Sequence, residues 1–149
     1  MREILFRGKR RDNGEWTYGS LLKPIFGAKP AILQDASVDD SCRLDFEYHF
    51  VDPAAVGQFT GLTDRNGKRI FEGDIIKTRY ANVPKADFIE EVVFHNGRFC
   101  ALYKKLGCEM WQRLADGVPH HPGDRSAYME WCEVIGNIHD NPELLEASV

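Results

Sequence analysis

At 149 residues, 43% hydrophobic and 28% charged, the chain has the size and make-up of one globular domain, which buries about 70% of its unfolded surface. That make-up excludes disorder, and no apolar run is long enough to form a membrane-spanning helix. The net charge of -4 argues against a protein that mainly coats nucleic acid, because phosphate-driven affinity needs clustered Lys and Arg.

The start of the chain, MREILFRGKRRDNG, offers only Ile4 to Phe6 before charge resumes, which is not the apolar centre of a secretory signal; a cytoplasmic location is expected. Charge is unevenly spread. Residues 1 to 29 hold seven basic side chains against three acidic ones, so the remainder is -8. Three Asn-Gly pairs, at 13 to 14, 66 to 67 and 96 to 97, sit between β-prone runs, and this dipeptide marks hairpins because it tolerates positive φ. Gly14, Gly67 and Gly97 are therefore expected as structural turn positions.

In the first hairpin, ILFRGKR and EWTYGSLL flank the turn. A two-residue loop at Asn13 and Gly14 sets Trp16 opposite Arg11 and Tyr18 opposite Lys9, which makes a basic and aromatic face. A three-residue loop instead pairs Arg11 with Glu15 and Gly8 with Tyr18, and gathers Ile4, Phe6, Trp16, Tyr18 and Leu22 on one side. The second register is preferred here, since it pairs opposite charges and leaves one face apolar. Arg7, Lys9 and Arg11 then form a solvated face beside Glu15.

Farther along, AILQ reads as a short strand and DASVDDSCRLDFE as an exposed acidic loop. In VDPAAVG, Asp52 is a helix cap, Pro53 the first helical position and Gly57 the stop of a single turn. The second hairpin, QFTGLTDRNGKRIF, fits a type I turn with a bulge, with Asp64 first and Gly67 last. EGDIIKTRY continues into a strand, a step also common where SH3-like barrels begin. The third hairpin, EEVVFHNGRFCALY, is apolar on both faces and is expected centrally in a sheet. KLGCEMWQRLADG is compatible with a short helix and VPHHPGDRS with a loop. A last strand from Glu133 to Ile138 precedes Asn141 and Pro142, which open a short helix.

Three blocks, FRGKRRDNGEWTYGSLL, VDPAAVGQFTGLTDRNGKRIFEGDIIK and EVIGNIHDNPELL, resemble the signature segments of the YopX family of bacteriophage and prophage proteins, in the family's order. The resemblance covers about half the chain. It implies a mostly β, complex fold with two small barrel-like parts, subdivided near residue 72 into an N-terminal β part (1–72) and an SH3-like barrel part (73–149). It implies no activity and no catalytic residues.

The chemistry-bearing residues suggest little beyond structure. His120, His121 and Asp124 share a region with Cys108 and Cys132, yet adjacent histidines on an extended chain point apart, whereas zinc wants four convergent ligands, so loop histidines and no metal are expected. Cys42, Cys100, Cys108 and Cys132 lack a C-x-x-C pair and are expected as free thiols. No G-x-S-x-G elbow, G-x-G-x-x-G or Walker-type loop is present, so neither catalysis nor a cofactor is expected. Asp74 and Asp140 read as turn or cap residues, and Gly57, Gly61 and Gly73 as bends. Three functions stay open. The first is a non-catalytic accessory module that binds a protein partner or itself through sheet edges or exposed loops. The second is a nucleic-acid-binding module using Arg7, Lys9, Arg10 and Arg11. The third is an unrecognised hydrolase or metal enzyme.

Overall fold

The computed structural model describes residues 3–23, 27, 29–81, 85–105, 108–113 and 129–146. The described chain is mostly antiparallel β. The strands are β1 (Phe6–Lys9), β2 (Trp16–Leu22), β3 (Ala31–Val38), β4 (Leu44–Phe50), β5 (Gly57–Thr63), β6 (Arg69–Phe71), β7 (Asp74–Tyr80), β8 (Asp87–His95), β9 (Arg98–Lys105), β10 (Cys108–Arg113) and β11 (Met129–Asn137). A 3₁₀ turn spans Pro53–Ala55, and a short helix, α1, spans Glu143–Glu146. Hydrogen bonding orders them as β4-β3-β2-β1-β5-β6 and as β10-β9-β8-β7-β11.

Neither sheet closes into a barrel among the described residues, which corrects the barrel-like parts expected from the family resemblance. In the five-stranded sheet β10 and β11 stay at opposite edges. In the six-stranded sheet the curl towards closure stops at a single bridge, Arg10 to Val51. Its hydrogen bonds join only the ends of β1 and β4: Arg11 N–H donates to the Phe50 carbonyl at 3.0 Å and Asp52 N–H to the Lys9 carbonyl at 2.9 Å.

The chain forms two compact units, Met1–Gly61 and Leu62–Val149, so the division runs through β5. The hairpin turn that follows belongs to the second unit for a physical reason. Asp64 Oδ1 accepts the N–H groups of Asn66 at 2.8 Å and Lys68 at 2.9 Å, while its Oδ2 accepts Val134 N–H of β11 at 3.0 Å. Ile70, on β6, packs with Ile76, Val92 and Ala101 in that unit's core, against Leu62, Phe99, Met129, Cys132 and Val134. The Asn96–Gly97 turn lies between interior strands β8 and β9, with both residues at positive φ and His95 paired to Arg98, the two-residue loop its dipeptide favours.

In the first unit Ile32, Val51, Ala55 and Phe59 are buried. Gly19 of β2 lies under β3, where an added Cβ would fall 1.9 Å from the Leu33 carbonyl oxygen; only a bare backbone fits. Asp52 caps the 3₁₀ turn by accepting Ala54 N–H at 3.1 Å.

Two segments differ from expectation. The short strand expected at residues 31–34 opens β3, but the acidic stretch read as a loop, residues 35–47, continues it and turns into β4, and the stretch compatible with a helix contains β10, paired to β9 from Cys108–Lys105 to Arg113–Cys100. In the first case, Asp39 organises a tight turn. Its Oδ1 accepts Ser41 and Arg43 N–H groups at 2.9 Å each, Cys42 N–H donates to its carbonyl at 2.9 Å, and its own N–H donates to the Arg43 carbonyl at 3.0 Å. This is the bonding pattern of the Asp64 turn, with Cys42 where Gly67 stands.

Candidate functional site

The basic hairpin is out of the expected register. Lys9 pairs with Trp16, Gly8 with Thr17 and Arg7 with Tyr18, and Arg10 N–H donates to the Glu15 carbonyl at 2.8 Å. The loop thus holds four residues, Arg11 to Gly14, instead of three. Its side chains stabilise that length: Asp12 Oδ1 accepts Asn13 N–H at 2.9 Å, and Asn13 Oδ1 accepts Glu15 N–H at 3.0 Å. A one-residue shift exchanges the faces, so Arg7 and Lys9 lie on the side of Trp16 and Tyr18. The expected separation of an aromatic core face from a basic solvent face does not occur.

The four cations nevertheless do not form one exposed array. Arg7 is buried, 6% exposed, with its guanidinium carbon 4.7 Å from the Trp16 ring centroid. Lys9 Nζ lies 6.0 Å from the same centroid. Arg10 is paired with Asp12 through two hydrogen bonds, of 3.0 and 2.6 Å, which hold the Asp12 carboxyl down to about 2. Arg11 is exposed and, with Lys29, lines an open hollow of about 810 Å³ whose aromatic side is Tyr48 and Phe50. Gly14, Gly67 and Gly97 stand at φ 73°, 81° and 76°.

Another exposed feature is apolar. Leu44, Phe46, Tyr48 and Phe50 alternate along β4 and therefore share one face of the sheet. Phe46 and Tyr48 rings lie 6.1 Å apart, and Tyr48 and Phe50 rings 5.5 Å apart, edge to face. Through Val38–Leu44, Leu33–Tyr48 and Ala31–Phe50, then Ser20–Leu33 and Leu22–Ala31, the same face continues over β3 and β2. It bears Val38, Leu22 and Tyr18. All seven large side chains are exposed, Phe46, Tyr48 and Phe50 at 41%, 49% and 50%. Sequence reasoning missed this face because the acidic residues between the aromatics outweighed their alternation.

Residues 5–146 match the family described as YopX protein. The chain belongs to the YopX family. This YopX-family chain is also similar to a solved structure, that of protein EF1440 from Enterococcus faecalis. The two are 28% identical, with a TM-score of 0.58 over 97% of this chain and 99% of that one. No curated protein matches.

The second unit of this YopX-family chain holds a buried acid. Glu90, 1% exposed, accepts the Thr78 hydroxyl at 2.5 Å and the Tyr80 hydroxyl at 2.6 Å on one oxygen. Burial raises its pKa against those two bonds, and burial together with the nearby Glu90 charge raises that of Tyr80. Cys132, paired across the sheet with Thr78, is pushed up to about 11 by burial, with Asp64 and Glu90 adding to the effect. A thiol so high is a poor nucleophile at neutral pH. Asp74, also buried, accepts Phe71 N–H at 2.8 Å, as a turn residue does, and Asp140 accepts the Asn137 side-chain amide at 3.0 Å. His120, His121 and Asp124 lie outside the described residues. Among the described residues no group of His, Cys, Asp and Glu is placed to hold a metal, and no helix is long and apolar enough to cross a membrane.

Proposed function

We propose that the protein is a non-catalytic module that associates with protein, in the first instance a second copy of itself, through the apolar face centred on β4. The supporting observation is the row Leu44, Phe46, Tyr48 and Phe50, exposed and continuous with Val38, Leu22 and Tyr18. Contiguous apolar patches of this kind are uncommon on monomers because covering them is favourable by roughly 25 cal/mol per Å². Packing the face against its own copy removes the rings from water without requiring them to fold inward. Sedimentation equilibrium tests this. The wild-type protein should associate with concentration, and Phe46→Ser with Tyr48→Ser should leave it monomeric. A wild type that stays monomeric at millimolar concentration would exclude self-association.

A nucleic-acid-binding function has one observation in its favour: Arg7 and Lys9 share a face with Trp16 and Tyr18. It ranks second because Arg7 is buried against the Trp16 ring, which a base would need for stacking, and Arg10 is neutralised by Asp12.

A further inference from the structure

The outer edge of β4 is a separate feature from its face. Val51 N–H donates to the Pro30 carbonyl, towards β3, so the alternation of an extended strand turns the backbone groups of Asp45, Glu47 and His49 to β3. Those of Leu44, Phe46 and Tyr48 turn outward. Beyond Tyr48 the outer side is taken, by Arg11 N–H on the Phe50 carbonyl and by Asp52 N–H on the Lys9 carbonyl. Between Leu44 and Tyr48, no described residue pairs with that side, and β4 is the end strand of its sheet. An unprotected edge of this kind is a template for another strand.

The side chains decide which strand fits. On the face opposite the aromatic row, the open stretch carries Asp45 and Glu47, both exposed, with Arg43 and His49 flanking it and the Glu47 carboxylate 3.0 Å from His49 Nε2. A second copy does not fit this edge. Each two-fold antiparallel register that pairs Phe46 within the open stretch sets a carboxylate against a carboxylate: Asp45 on Asp45, Asp45 on Glu47, or Glu47 on Glu47. Like charges directly opposite one another destabilise a sheet. We propose that this edge accepts an extended segment of a different protein, in which apolar residues alternate with Lys or Arg. Its backbone would pair with Leu44, Phe46 and Tyr48, its apolar side chains would extend the aromatic row, and its cations would stand against Asp45 and Glu47. Edge and face can be occupied together, because an added strand lies in the plane of the sheet.

The test uses the full chain and two synthetic peptides, one alternating Val with Lys and the other Val with Glu. Titration followed by amide exchange should show the Lys peptide binding at least about tenfold more tightly and protecting the amides of Leu44, Phe46 and Tyr48. In a chain carrying Asp45→Lys and Glu47→Lys the preference should reverse. Equal binding of both peptides, protection elsewhere, or no binding of either would overturn the proposal. So would protection of these three amides that grows with protein concentration and needs no peptide, since a second copy would then fill the edge. The preference between the two peptides and its reversal by Asp45→Lys with Glu47→Lys do not depend on whether the apolar face self-associates.

Discussion

Single residues in this chain do opposite things with the same chemistry. Glu90 is buried and its pKa is raised, because desolvation outweighs the Thr78 and Tyr80 hydroxyls. Asp64 is also buried, but three backbone N–H groups, from Val134, Lys68 and Asn66, overcome its desolvation, and its pKa is lowered. The linkage signs follow. Above its ordinary value of 4.5, Glu90 binds more proton folded than unfolded, so its contribution falls as pH rises towards its folded pKa. Asp64 stabilises above its ordinary 3.8, and that contribution is lost as pH falls through its lower folded pKa. Glu90→Gln keeps an acceptor for both hydroxyls and cannot ionise. It should flatten the decline of stability as pH rises above 4.5 while leaving the loss as pH falls below 3.8, as measured by urea unfolding across pH. An unchanged pH profile would contradict the buried-carboxylate account. Neither environment was legible in the sequence. Asp64 was visible as a turn residue, but its bond to Val134 spans 70 positions.

At the level of elements, local chemistry was legible where it was self-sufficient. The Asp52–Pro53 cap, the Asp64–Gly67 turn and the Asn96–Gly97 turn all stand where their residue types place them. It was misleading where several turns were compatible with one string. The bonds from Asn13 N–H to Asp12 and from Glu15 N–H to Asn13 lengthen the first loop by one residue and bring Arg7 and Lys9 to the side of Trp16 and Tyr18. The Asp39 turn escaped notice because Cys42, not Gly, occupies its left-handed position at φ 59°. That conformation costs a side chain about 1–2 kcal/mol. Cys42→Gly should therefore stabilise the β3–β4 hairpin by about 1 kcal/mol, seen as a higher urea midpoint with an unchanged slope. A lower midpoint would mean that the thiol makes a contact worth more than the backbone strain.

For the whole molecule, the net charge of -4 and the pairing of its cations bear on partners together. Any affinity for single-stranded DNA should be weak and fall steeply with salt, and Lys9→Glu with Arg11→Glu should abolish it. Binding that survives physiological salt would promote the nucleic-acid function over protein association; it is measured by fluorescence anisotropy across a salt series. The amino-acid sequence alone determined that this is a mostly β chain of the YopX family, with hairpins at three Asn-Gly pairs, because turn residues and strand propensity act within a few positions. Tertiary structure alone decided that the sheets stay open among the described residues, that Arg7 is buried on Trp16, and that an aromatic row beginning in a supposed loop faces water. Those outcomes depend on strand register and on which edge remains unpaired, and both are settled by hydrogen bonds between residues far apart in the chain.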